Sequence, residues 1–202
     1  MLEEARRVGL TGPGPVLPHL AHALGFTAAV QDVPAGLCLD LGSGAGLPGL
    51  PLAMAWPTSR WALIDAGQRR AEFLDRAIEV LGLGERVKVS RGRAEDLGRL
   101  DAWRGAAELV VARSFGPPAL TAECAAPFLE TGGRLIVSDS PTGAVTRWPK
   151  AGLEPLGMVP GQSVEAGGRR YQVITQVEPC PGRFPRRAAA LKKRPLFSPA
   201  PP

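Results

Sequence analysis

Residues 36–53 read Gly36-Leu37-Cys38-Leu39-Asp40-Leu41-Gly42-Ser43-Gly44-Ala45-Gly46-Leu47-Pro48-Gly49-Leu50-Pro51-Leu52-Ala53. An apolar strand, Gly36 to Leu41, runs into three glycines at every second position and then into a helical segment. Glycines so spaced strip side chains from the turn, so a ligand can lie against bare backbone and the helix start behind it. The dinucleotide fingerprint requires a small residue three places after its second glycine. Leu47 stands there, so the loop points away from NAD and toward S-adenosylmethionine, a nucleoside without a pyrophosphate.

Outward from this loop, apolar runs alternate with helical patterns, the signature of βα units feeding a parallel sheet. Strands are expected at Gly36 to Leu41, Arg60 to Asp65, Arg86 to Ser90, Glu108 to Ala112 and Gly133 to Val137. A helix is predicted over Gln68 to Leu81, where Ala71, Phe73, Leu74, Ala77, Ile78 and Leu81 recur at spacings of three and four, stopped by Gly82. Another opens at Pro117-Pro118 and reaches Leu129. From Met158 the pattern changes: Met158 to Glu165 and Arg169 to Val177 flank Ala166-Gly167-Gly168 with no room for a helix, so they form an antiparallel hairpin. The fold class is therefore α/β, a doubly wound, mostly parallel sheet with an antiparallel C-terminal hairpin. Residues 1–35, with one helix near Val16 to Leu24 and turn signals at Gly12-Pro13-Gly14-Pro15, form a cap; residues 36–180 form the ligand-binding domain; residues 181–202 form a basic tail. Ser198 to Pro202 is expected to be disordered.

The chain has 202 residues, 45% of them hydrophobic, enough for one sizeable core. No run of about 18 apolar residues occurs and the first residues lack a secretory pattern, so a soluble cytoplasmic protein is expected. Cys38, Cys124 and Cys180 are far apart and read as reduced thiols. The net charge of +5 is unevenly placed. All 19 acidic residues lie at or before Glu178, whereas Arg183, Arg186, Arg187, Lys192, Lys193 and Arg194 follow it with no anion. A concentrated cationic tail suits a polyanion such as RNA, or merely keeps the chain soluble.

Ligands of open α/β sheets bind beyond the carboxyl ends of the strands, where strand order reverses. That rule selects Asp40 with Gly42, Gly44, Gly46 and Leu47 after the first strand, Asp65 after the second, Ala94 and Glu95 after the third, and Arg113-Ser114 after the fourth. Asp65 is placed to accept bonds from ribose hydroxyls. Asp40 is expected to face the ligand's ammonium, to brace the glycine turn, or to do both. Ala94 and Glu95 offer a backbone N–H and a carboxylate to an adenine edge, while Asp96 doubles as an N-cap for the next helix. Arg113 calls for a carboxylate or a ligand anion, because an unpaired buried guanidinium is costly; it is also the one candidate for a catalytic role. His19 and His22 lack a third ligand, so no metal site is expected. Trp56, Trp61, Trp103 and Trp148 are expected to pack.

These residues resemble the glucose-inhibited division protein B family, the ribosomal RNA small-subunit methyltransferase G family. Residues 39–53 are similar to its first motif, and the Leu47-Pro48-Gly49 extension makes the match specific. Leu63-Ile64-Asp65 with Arg69-Arg70-Ala71-Glu72-Phe73-Leu74, Gly92-Arg93-Ala94-Glu95-Asp96-Leu97, Val111-Ala112-Arg113-Ser114-Phe115 and the tail from Phe184-Pro185-Arg186-Arg187 follow in order. The resemblance implies a Rossmann-like class I methyltransferase that uses S-adenosylmethionine to methylate N7 of a guanine in 16S ribosomal RNA; a monomer is expected. It places Gly42, Leu47, Ala94, Glu95 and Arg113 on the cofactor. The chain departs from the pattern in lacking an Asn-Leu-Thr segment before the sheet, and in carrying Ser138-Asp139-Ser140 where Lys-Gly is usual, which sets an acid near the expected RNA approach. A methyltransferase acting on a small molecule or another RNA, and a non-catalytic ribosome-binding relative, are the alternative readings.

Overall fold

The computed structural model describes residues 1–12, 14–139 and 147–198. Pro13, Ser140 and the end of the tail from residue 199 lie outside the described residues, and with them part of the Gly12-Pro13 turn, of the Ser138-Asp139-Ser140 departure and of the tail segment expected to be disordered. Seven strands, β1 (Leu37–Leu41), β2 (Arg60–Asp65), β3 (Val87–Arg91), β4 (Ala107–Ala112), β5 (Leu129–Asp139), β6 (Met158–Ala166) and β7 (Arg169–Gln176), form one sheet in the order β3-β2-β1-β4-β5-β7-β6. The first five are parallel, and β7 runs antiparallel between β5 and β6. Strand order reverses between β1 and β4, which are direct neighbours with Leu41 opposite Ala112.

Side-chain alternation along the buried strands divides the core in two. Leu39, Leu41, Ile64, Val110 and Ala112 face one cluster, with Phe128 and Leu153. Cys38, Trp61, Leu63, Leu109 and Val111 face the other, with Phe73 and Leu74. Helices α1 (Leu2–Arg7), α2 (Val16–Leu24), α3 (Gly49–Ala55) and α4 (Gln68–Val80) come first in the chain, and α1, α3 and α4 contribute to the second cluster. Helices α5 (Ala94–Leu97), α6 (Pro118–Ala125), α7 (Lys150–Leu153) and α8 (Ala188–Lys193) all contribute to the first. None of the described helices is long and apolar enough to cross a membrane.

Three elements differ from expectation for local reasons. The helix after Pro117 ends at Ala125 and tightens into a 3-10 turn, Ala126–Phe128. Pro127 explains this, since it supplies no N–H to continue the α-helical ladder. Strand β5 starts four residues early, at Leu129, because the chain keeps its strand course through Thr131-Gly132-Gly133, with Gly132 at φ of +90°, and a register shift restores pairing with β4. Helix α5 begins at Ala94 with Arg93 as its N-cap, so Asp96 lies inside the helix and caps nothing. The first residues also hold α1, which no periodicity announced. Residues Ala5, Phe26 and Ala29 join the second cluster, so this segment is packed onto the sheet.

The tail is folded down in the same way. Phe184 and Leu191 are 4% exposed and belong to the first core cluster. Glu123 on α6 is 1% exposed and holds Arg186 through three bonds: the Arg186 backbone N–H and Nε donate to Oε1, each at 2.8 Å, and Nη2 donates to Oε2 at 2.7 Å. On the near side Arg104 donates to the Phe184 and Cys180 carbonyls at 2.8 and 2.7 Å. Trp56 stacks on Trp61, Trp103 meets Phe128 edge-on and Trp148 is buried, so all four tryptophans pack.

Candidate cofactor site

The glycine loop at the end of β1 is tied to the sheet on one side only. Gly42 and Ser43 donate backbone N–H groups to the Ile64 carbonyl at 2.8 and 3.0 Å, and the Ser43 hydroxyl donates to the Asp40 carbonyl at 2.8 Å. Gly42 and Gly44 adopt φ of +68° and +57°, a region that costs any side chain with a Cβ. Both line two clefts that meet at this loop. The first, about 410 Å³, also has Asp65, Ala94, Glu95 and Phe115 on its walls. The second, about 630 Å³, has Leu47, His19, His22, Arg113 and Arg169. Leu10 and Ser114 complete the shared ridge. The volumes suit small-molecule subsites.

The sequence-predicted residues sort into three groups. Gly42, Gly44, Asp65, Ala94 and Glu95 converge on the first cleft, and Gly42, Gly44, Leu47 and Arg113 on the second. Asp40 and Gly46 line neither, and both corrections have a physical reason. Asp40 is fully buried beneath the loop, where Oδ2 accepts the Gly49 N–H at 2.9 Å, so the bracing role is the one the structure shows. Burial pushes its carboxyl up to about 7, against the pull of that N–H and of Arg113, and Oδ1 has no partner among the described residues. Gly46 faces the core: a Cβ there would collide with Leu50.

Asp65 is 4% exposed and already occupied. Its Oδ1 accepts the Gly67 N–H at 2.8 Å and Arg70 Nε at 2.7 Å, and Oδ2 accepts the Gly44 N–H at 3.0 Å. A carboxylate offers about four lone-pair sites, so one ribose hydroxyl can be accepted without displacing Arg70, where two were expected. Glu95, 6% exposed, takes Arg93 Nε on Oε1 at 2.6 Å. Ala94 and Glu95 open α5, where the first N–H groups have no intrahelical acceptor.

Arg113 is half-buried, and burial lowers its pKa while Asp40 raises it. Its Nη1 donates to the His19 carbonyl at 3.3 Å, yet no carboxylate lies within salt-bridge distance among the described residues. This leaves a cation on the cleft wall with room for an anion. His22 beside it is held neutral, its pKa lowered to about 4 first by burial and then by Arg113, and its Nε2 lies 2.5 Å from Ser138 Oγ. Asp139 does not present the bare acid expected at the RNA approach. It pairs with Arg147 and accepts the Trp148 indole N–H at 3.0 Å.

Ser114, selected with Arg113 at the end of the fourth strand, holds φ of +58°, unusual for a non-glycine residue and concentrated at functional sites. Sequence reasoning assigned no role in the site to several other wall residues. Phe115 packs over the loop so closely that a Cβ at Gly42 would stand 2.8 Å from its ring. Ala188, Leu191 and Lys192 of α8 line the first cleft as well. The available signal was Leu191, one leucine inside a cationic segment.

The family model for rRNA small subunit methyltransferase G, GidB, matches residues 8–139. The chain belongs to that family. A ribosomal RNA small subunit methyltransferase G of Chloroflexus aggregans is 36% identical over 189 residues, 88% of this chain and 76% of that protein. One of Moorella thermoacetica is 32% identical, covering 88% of this chain and 77% of its own. Among solved structures, an RNA methyltransferase from Salinibacter ruber in complex with S-adenosyl-L-homocysteine superposes with a TM-score of 0.58 at 20% identity, over 84% of this chain and 97% of that one. The mitomycin 7-O-methyltransferase MmcR gives 0.64 at 20% identity, over 87% and 58%. These likenesses bear on the fold, a Rossmann-like class I methyltransferase. In this fold the glycine loop and both clefts sit at the β1/β4 switch point.

Proposed function

We propose that this protein transfers a methyl group from S-adenosylmethionine to N7 of a guanine in 16S ribosomal RNA. Family membership gives the reaction class. The observation that supports the cofactor's placement is the pair of clefts sharing Gly42 and Gly44. In this reading the nucleoside lies in the first cleft, with Asp65 toward the ribose and Ala94 and Glu95 toward the adenine edge. The amino-acid end lies in the second, with its carboxylate at Arg113. The bound cofactor supplies an electrophilic methyl on a sulfonium.

Guanine N7 has a free lone pair, so no side chain has to remove a proton. Catalysis then rests on holding N7 in line with the methyl, an effect worth up to about 7–11 kcal/mol. Arg113→Gln should weaken S-adenosylmethionine binding by roughly 10- to 100-fold in calorimetry, the worth of one charge-assisted contact. An unchanged affinity would remove Arg113 from the site.

Of the six tail cations, Arg186 is committed to Glu123, whereas Arg187, Lys192, Lys193 and Arg194 are exposed and Arg183 stands over the Phe184 ring. Five cations on single-stranded phosphates give a slope of log K against log salt of about −3.5, against about −4 for all six. Filter binding of 16S RNA over a salt series measures it, and a slope near zero would take the tail off the RNA. The acceptor is tested by offering labelled S-adenosylmethionine with naked 16S RNA, assembled small subunits or a metabolite extract. Label is expected in guanine N7 of the RNA; label confined to small molecules would overturn the assignment. With Asp139 neutralised by Arg147, the acid that had favoured a different acceptor no longer argues for one.

A further inference from the structure

The first cleft has one wall that neither the glycine loop nor the strand ends provide. Ala188, Leu191 and Lys192 of α8 line it together with Phe115 and Leu120. This wall is built, since α8 is pinned on both sides. Before it stand the Glu123–Arg186 pair and the buried Phe184; after it Phe197 packs so tightly on Gly152 that no Cβ fits between them. Leu191 is itself buried in the core cluster.

The chemistry of the cleft has two characters. Ile64, Phe115, Leu120, Ala188 and Leu191 make an apolar slot, and Ala94 with Glu95 make a polar edge. A flat heteroaromatic base needs both, an apolar face and a line of hydrogen-bonding groups. We propose that α8 is part of the cofactor site: Ala188 and Leu191 form the face against which the adenine of S-adenosylmethionine lies, so the segment that carries the RNA-facing cations also completes the nucleoside pocket. The inference rests on the cofactor reading above and deepens it.

Two substitutions on one turn of α8 separate the possibilities. Ala188 is half-exposed and lines the cleft, whereas Ala189 is exposed and does not. Ala188→Trp places an indole in the space the base needs, and should weaken S-adenosylmethionine binding by at least about tenfold. Ala189→Trp, pointing away, should match the parent. Both are measured by calorimetry on the full chain without RNA, beside circular dichroism and 16S RNA affinity, which should stay at parental values for both. Selective loss in Ala188→Trp supports the wall. Equal affinity in both variants, or equal loss in both, overturns it while leaving the methyltransferase reading standing. Failure of the parent itself to bind the cofactor would instead bring down that reading.

Discussion

Gly44→Val is expected to weaken S-adenosylmethionine binding by at least about 100-fold, or roughly 2.7 kcal/mol, while leaving 16S RNA affinity within about twofold. The choice among the glycines matters. At Gly42 an added Cβ would meet the Phe115 ring at 2.8 Å, and at Gly46 it would strike Leu50, so either change repacks the loop before any ligand arrives. At Gly44 the nearest atom to an added Cβ is the Gly42 carbonyl oxygen at 3.7 Å, an ordinary contact. The free protein therefore pays only for a β-branched residue at φ of +57°, about 1–3 kcal/mol. The isopropyl group stands where both clefts meet, in the volume the cofactor requires. Calorimetry for the cofactor and filter binding for the RNA give the two numbers. Equal loss of both would mean that the loop serves the RNA as well, and the two-site reading would fail.

Arg186→Ala should destabilise the fold by about 3 kcal/mol, the lower end for breaking a buried pair, because a quarter of the Arg186 side chain is exposed and its backbone N–H still reaches Glu123. For a chain of this size that lowers Tm by roughly 6–12 °C. The residue left behind explains the size: Glu123 would stay at 1% exposure with two of its three donors gone. Arg186→Lys should recover only part, since an ammonium cannot span both carboxylate oxygens. The salt slope for RNA should not change. A Tm within about 2 °C of the parent, with a slope shallower by about 0.7, would instead make Arg186 a phosphate ligand.

The sheet was legible because its strands are short apolar runs ended by polar or glycine residues, a pattern that survives without tertiary information. The predicted β2 has the observed limits, and the hairpin falls within a residue of its strands. What failed were boundaries set by one residue's neighbours: Pro127 cutting a helix short, and a register shift lengthening β5. In the site, residues named by position at strand ends reached the clefts. Asp40 and Gly46 did not, because a spacing pattern tells which residues share a turn and not which side of the turn faces the core. The reassignment of Arg186 has the same origin. Its partner Glu123 is 63 positions away, and nothing in a cationic run marks the one member that a distant buried acid will claim.

The first cleft draws Leu10, Gly42, Asp65, Glu95, Phe115 and Leu191 from along almost the whole chain. No local piece of the protein can hold the nucleoside alone, so affinity for it is a property of the completed fold. By mass action, cofactor at about 100 times its Kd adds roughly 2.7 kcal/mol to unfolding. If the cofactor lies against the tail helix and the N-terminal segment as proposed, that increment should extend to both ends of the chain, and hydrogen exchange with and without cofactor measures it. In that case the two ends of the chain should gain protection together with its middle when the cofactor is added.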